Sequence, residues 1–307
     1  MTAKYYDNEI IDKYTTFRIG GKAKRLYIPY SKNDLLEIVR SLNYQEDNPI
    51  ILGWGSNVLV SSKGYEGTVI VTKNLNKVEH IEKNVVYADA GITSPKLSKF
   101  CLEKCLSGLE FLIGIPGTLG GAIYMNSSAN GQCIKDAIVE AEILDVNLKV
   151  IKVFNKDELG LSYRKSGINP KKQYIVSAKF ALTELDSITI KEKMDNNLNF
   201  RKLKQPRGLN AGSIFKNPED NSGVAAGYLL DKVGAKGMKE GGAIVSEIHA
   251  NFIENFNNAT SLDVSRLMLR MHKEVFEKTG YKLYPEIEFI GEQTEEEEKI
   301  WKILKAQ

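Results

Sequence analysis

The stretch GIPGTLGGAIYMNSSANG, residues 114–131, places glycine at 114, 117, 120, 121 and 131 before running into small polar residues. Glycine loses more conformational freedom on folding than any other residue, so such a cluster demands a geometric reason. Two reasons compete: packed turns beneath a helix, or a loop whose backbone N–H groups converge on an anion. A short helix opening at TLGGAIYMN adds the positive end of its dipole to the second reading. About sixty residues upstream, LGWGSNVLV (52–60) carries Gly53-x-Gly55. It is not a dinucleotide fingerprint: Val58 stands where the third glycine belongs, and a strand-like run follows where a helix is needed. No G-x-x-x-x-G-K-[ST] run exists, which removes P-loop chemistry. Two glycine loops in one strand-rich region are best explained together, one cradling a pyrophosphate and the other lining the same groove.

Around these loops, short apolar runs alternate with turn signals. RLYIPY (25–30), IILGW, NVLV, GTVIVT and NVVYADAG read as strands, and NDLLEIVRSL (33–42) as an amphipathic helix opened by Asn33. SPKLSKFCLEKCLSG (94–108) reads as a helix with Ser94 as N-cap, Pro95 at the first position and Gly108 as its stop. Leu97, Phe100, Cys101 and Cys105 share one face of it, as core packing. IVEAEILDV, KVIKVF and YIVSAKFALTEL follow as strands, then a lysine-rich helix over 186–204. GVAAGYLLDKVG and a segment opening at Thr260, with Asp263 completing a capping box, are helical. Val264, Leu267, Met268, Met271 and Val275 fall at core spacing on the last of these. The fold class is mixed α+β.

The 307 residues suffice for two or more domains, and a net charge of +3 falls short of a nucleic-acid-binding signature. Neither a signal peptide nor a membrane span is expected. Three sparse cysteines (101, 105, 133) suggest no disulfide framework, and three scattered histidines (80, 249, 272) give no metal-ligand spacing, so no metal is expected. A cytoplasmic location is the expectation.

GWGSNVLV followed by GIPGTLGGA resembles the FAD-binding domain of vanillyl-alcohol-oxidase (PCMH)-type flavoproteins. TTFRIGG (15–21), SYRKSG (162–167), AGSIFKNP (211–218) and LYPEIEFIG (283–291) resemble, in that order, the motifs of the UDP-N-acetylenolpyruvoylglucosamine reductase (MurB) family. The likeness spans Thr15 to Gly291 and fits the shorter type, without an extra substrate-covering tyrosine loop. It implies two FAD-binding subdomains over 1–90 and 91–200 and a substrate-binding domain over 201–293. Beyond the last motif, the alternation of acidic and apolar residues over 294–307 suggests a terminal helix packed on the surface by Trp301 and Leu304. The resemblance also implies a bacterial cytoplasmic enzyme, expected to be a monomer, with a UDP-sugar as its partner and neither nucleic acid nor membrane involved.

The resemblance carries a chemistry with it. The family reduces an enolpyruvyl ether on UDP-GlcNAc to a lactyl ether, with FAD held non-covalently and NADPH as co-substrate. Arg164 is implied to pair with the substrate carboxylate, for which a planar guanidinium is suited. Glu286 is implied to stabilise the enol form, and Ser213 to protonate the carbon. Glu286 is preferred to Glu288 because it directly follows Pro285. The FAD loops carry Gly53, Gly55, Ser56 and Asn57, and Gly114, Ile115, Pro116, Gly117, Gly120 and Gly121. Tyr163, Lys204, Lys216 and Asn217 are expected to hold substrate or NADPH phosphates. Two rival readings stay open: another flavoenzyme of the same fold, and a catalytically silent nucleotide-binding factor.

Overall fold

A run of nine residues, QYIVSAKFA, forms the strand Gln173–Ala181, buried along most of its length. A strand buried on both faces must be covered twice, and this one is. In the computed structural model, which describes residues 3–218 and 223–306, it is central to a five-stranded antiparallel sheet. The order is Val150–Asn155, Ile138–Asp145, Gln173–Ala181, Val85–Asp89, Val78–Glu82. Successive side chains of a strand point to opposite faces. Accordingly Ile175 joins one apolar cluster while its neighbours Tyr174 and Val176 join another. Small residues meet where the strands are most closely covered: Ala178 is opposite Ala141 on one side and Ala88 on the other. The first cluster takes in Leu97 of the helix Ser94–Glu103, and Leu119 and Ile123 from the glycine-rich segment. The second takes in Leu35, Ile38 and Val39 of the helix Lys32–Ser41. A further sheet orders the strands Lys4–Ile10, Lys22–Ile28, Tyr65–Val71 and Ile50–Leu52, the last pair parallel with Ile50 opposite Val69.

The chain divides into two compact units. The first comprises Met1–Asp7, Arg25–Trp54 and Gly67–Arg201; the second comprises Asn8–Lys24, Gly55–Glu66 and Lys202–Gln307. The core of the second unit is built on the helix Ser261–Thr279. Thr260 and Asp263 close a reciprocal capping box at its start, and Gly280 ends it at φ 76°. Val264, Leu267, Met268, Met271 and Val275 are all fully buried, as their spacing requires. The final helix Glu295–Lys305 packs into the same cluster through Ile300, Trp301 and Leu304. Its buried Glu297 is no liability, because its carboxylate accepts from Ser261 Oγ at 2.6 Å and from Thr294 N at 2.8 Å. Trp301 Nε1 donates to Ser265 Oγ at 3.0 Å.

Local details depart from the sequence reading. The helix at residue 32 is capped by Ser31, whose side chain accepts from Asp34 N; Asn33 lies inside the first turn. A β-region serine with an acidic residue three positions on outcompetes an asparagine that is already helical. The helix after residue 93 is preceded by Thr93 and ends at Glu103, well short of Gly108. Lys104 leaves the helix, Cys105 turns left-handed at φ 56° and is exposed, and Leu106 pairs with Glu184 in a short strand. Strand pairing thus overrides the helical periodicity, and Cys105 leaves the face shared by Leu97 and Cys101. The strands Lys4–Ile10 and Val78–Glu82 carry mostly exposed residues and left no apolar alternation to read.

Candidate functional site

The two glycine segments meet. A Cβ on Gly53 would lie 2.3 Å from Thr118 Oγ1, so only glycine allows this approach. Thr118 is held in place from the other side, bridging Thr93 while Ser94 N donates to the Gly117 carbonyl at 3.0 Å. Leu119 N and Gly120 N are committed to the carbonyls of Ile92 and Ala90 at 2.9 and 2.8 Å, which anchors the six-residue helix Leu119–Tyr124. Gly117, at φ 119°, occupies backbone space that other residues rarely enter. Gly114 and Gly121 are different. Added methyls there would meet nothing closer than 3.7 and 3.9 Å, so their open backbone is not demanded by packing. Ile115 is half-buried and Pro116 exposed.

The helix Ser187–Lys204 grips this segment at both ends. Arg201 Nη1 donates to the Gly114 carbonyl, and Asn130 Nδ2 donates to Asn197 Oδ1. Burial strips water from the Arg201 guanidinium and lowers its pKa. Neither Asn197 nor Arg201 was singled out by the sequence; their one signal is a four-residue spacing common to any helix face.

Arg164 sits at the tip of a tight turn in the same unit. Ser162 and Lys165 exchange backbone hydrogen bonds of 3.0 and 3.2 Å, and Arg164 takes φ 52° between them. Its guanidinium lies 5.3 Å from the ring centre of the exposed Tyr163, and Nη1 donates to Ser128 Oγ at 2.9 Å. The buried Asn126 secures the turn: its Nδ2 donates to the Ser162 carbonyl at 3.1 Å while its Oδ1 accepts from Lys135 N.

The remaining candidates belong to the second unit, which brings three segments side by side. Gly55 turns at φ 54°, where a Cβ would lie 2.7 Å from the Tyr14 carbonyl. The Ser56 carbonyl lies 3.8 Å from the position of a Cβ on Gly212, directly before Ser213. Asn57 Nδ2 donates to the Glu286 carbonyl at 3.1 Å, and Glu288 N donates back to the Asn57 carbonyl at 3.0 Å. Glu286 N donates in turn to the Ile214 carbonyl at 2.8 Å, and Lys216 N to the Tyr284 carbonyl at 2.9 Å, so Phe215 bridges Pro285. Ser213 and Glu286 therefore lie on adjacent backbone segments, both half-buried, whereas Glu288 is exposed.

Asn217 is spent locally, its Oδ1 accepting from Ala226 N at 3.0 Å. Lys204 ends its helix in an exposed position. The residue that sequence reasoning missed here is Asn251. Buried, it accepts Phe215 N–H through Oδ1 at 2.9 Å and donates to the Phe215 carbonyl through Nδ2 at 2.8 Å, with Ile214 N on its own carbonyl. One side-chain amide thus acts as a missing strand for the Ser213 loop. Gly53, Gly114 to Gly121, Tyr163 and Arg164 stand in the first unit; Gly55, Ser56, Asn57, Lys204, Ser213, Lys216, Asn217 and Glu286 stand in the second.

Comparison with known proteins matches two segments of the chain. Residues 23–153 match the model of an FAD binding domain, and residues 204–290 match that of the UDP-N-acetylenolpyruvoylglucosamine reductase C-terminal domain. A UDP-N-acetylenolpyruvoylglucosamine reductase of Carboxydothermus hydrogenoformans is 40% identical over 293 residues, covering 95% of this chain and 96% of its own. That of Caldicellulosiruptor bescii is 40% identical over 285 residues, covering 92% and 89%. The chain belongs to the UDP-N-acetylenolpyruvoylglucosamine reductase family. A crystal structure of the Thermus caldophilus family member, 31% identical, superposes with a TM-score of 0.80 over 94% of this chain and 99% of that one. Among the described residues no helix is long and apolar enough to cross a membrane.

Proposed function

We propose that this chain is an FAD-dependent, NADPH-consuming reductase of UDP-N-acetyl-3-O-(1-carboxyvinyl)glucosamine, forming UDP-N-acetylmuramate for peptidoglycan synthesis. The observation that carries the reading is the backbone bond from Glu286 to Ile214, which sets a serine hydroxyl and a carboxyl side chain on neighbouring segments in a chain matching the family over nearly its whole length. The residues present fit the dinucleotide. Gly53 closes on Thr118 with no side chain between them, and Gly114 and Gly121 offer main chain that packing does not cover. Gly53, Gly55, Ser56 and Asn57, with Gly114 to Gly121, hold it non-covalently. When bound, FAD supplies the hydride that NADPH delivers.

This chain's own residues manage the charge and the proton. Hydride arriving at the vinyl group pushes negative charge onto the neighbouring carboxylate as an enolate. Arg164 pairs with that carboxylate, its fork of N–H donors matching two oxygens. Glu286 stabilises the enol oxygen, and Ser213 Oγ gives its proton to the adjacent carbon. A positioned donor of this kind contributes about 10²–10⁴ in rate. Tyr163, Lys204 and Lys216 bind the sugar nucleotide or the NADPH phosphates, and Asn217 assists by fixing the loop that carries Lys216. The enzyme works as a cytoplasmic monomer.

Anaerobic stopped-flow absorbance separates the two half-reactions. Ser213→Ala is expected to let NADPH bleach the flavin normally, and to slow its recolouring by the enolpyruvyl substrate by roughly a hundredfold or more. Equal loss in both halves removes Ser213 from the acid role. A protein that binds no FAD ends the reading altogether.

A further inference from the structure

The Arg164 turn is costly as built. A non-glycine residue at φ 52° is strained backbone, and it persists only when its surroundings hold it. Two residues of the glycine-rich segment supply that hold. Asn126 ties down the turn's first carbonyl, and Ser128 accepts the guanidinium itself at 2.9 Å. The ring of Tyr163 lies 5.3 Å from the guanidinium carbon. We propose that Ser128 is a positioning residue for Arg164: its Oγ fixes the rotation of the guanidinium plane, so that the remaining N–H donors meet the substrate carboxylate as a pair. The inference rests on the reading of Arg164 as the carboxylate's partner.

The chemistry of the two groups supports this division. A guanidinium offers five N–H donors in one plane and no acceptor. Committing one Nη1 donor to a neutral hydroxyl costs none of its charge and removes a rotational freedom that otherwise opposes two-point recognition. Asn126 and Ser128 are two residues apart, so one stretch of chain sets both the backbone of the turn and the orientation of its tip. The segment that furnishes the cofactor glycines therefore also aims the substrate-binding arginine.

The test uses the full-length holoenzyme with Ser128→Ala, Ser128→Thr and Arg164→Ala, and measures KM for the enolpyruvyl substrate and the rates of both half-reactions. Ser128→Ala is expected to raise KM and slow flavin recolouring by about tenfold to a hundredfold, the scale of a misplaced binding group. Bleaching by NADPH stays at the wild-type rate, and threonine, which keeps the hydroxyl, restores most of the loss. Wild-type KM and recolouring in Ser128→Ala, beside a crippled Arg164→Ala, overturn the role of Ser128 and leave the reading of Arg164 intact. Wild-type behaviour in Arg164→Ala removes that reading and the inference with it. Loss in both half-reactions, or failure of threonine to rescue, marks Ser128 as structural and overturns the proposal.

Discussion

Replacing Asn251 by alanine removes two hydrogen bonds in one step. Its side chain serves the Phe215 N–H at 2.9 Å and the Phe215 carbonyl at 2.8 Å, and the two residues are 3% and 1% exposed. Both backbone groups lose their side-chain partner once the amide is gone. A buried polar group left without a partner costs about 1–3 kcal/mol, so two come to roughly 2–6 kcal/mol. Against a total stability of about 5–15 kcal/mol, that is a large share. At roughly 2–4 °C per kcal/mol, the melting transition of the second unit should fall by about 4–24 °C. Asn251→Asp separates hydrogen bonding from volume: it keeps the shape and the acceptor for Phe215 N–H, but presents an oxygen to the Phe215 carbonyl. It should destabilise nearly as much. The Ile214–Asn251 main-chain bond survives in both variants, so the loop stays tethered while its serine loses registration, and the recolouring half-reaction slows too. Scanning calorimetry and stopped-flow on the same preparations check both points. If both variants melt with the wild type, the assignment of Asn251 as the brace of the Ser213 loop is wrong.

Other perturbations test other parts. The Cys101 thiol is pushed up to about 12 by burial, with help from Glu110, while Cys105 is exposed. Thiol labelling of the native protein should therefore modify Cys105 first and reach Cys101 only in denaturant; equal rates would contradict the packing described. Arg201→Ala removes a charged donor from the Gly114 carbonyl and should weaken FAD binding by about ten- to a hundredfold, read by flavin fluorescence titration. An unchanged affinity would show that the loop needs no support from that helix. His249 has its pKa lowered from 6.5, first by burial and then by Lys236, and its Nδ1 accepts from Asn251 N at 3.1 Å. The unfolded chain thus binds the proton more readily than the folded one. Stability is intact above 6.5 and erodes as pH falls from there towards the lower folded value. Urea midpoints across that window should fall less steeply for His249→Gln than for the wild type, and identical slopes would remove His249 from the acid response.

The sequence alone carried the elements with strong periodicity. The helix Ser261–Thr279 was legible because its cap pair and its five buried residues all agree, and local propensity there opposes nothing. The family motifs were legible because unusual residues recur in a set order, and that resemblance put forward Arg164, Ser213 and Glu286 as candidates without any geometry. The edge strands Lys4–Ile10 and Val78–Glu82 were not, since mostly exposed strands bury too little to impose alternation. Nor was the end of the helix at Glu103, where pairing of Leu106 with Glu184 decides against a helical pattern that continues through Cys105.

What the chain determined by itself was which chemistry-bearing residues exist and in what local setting, because capping, turn formation and apolar spacing act within a few residues. Tertiary structure decided which distant backbones meet: Gly53 against Thr118, Asn57 and Ile214 on either side of Glu286, Asn251 against Phe215, Ser128 against Arg164. Those contacts are hydrogen bonds and close approaches between segments tens to hundreds of residues apart. No short-range pattern encodes them, for they come into being only when the whole core closes.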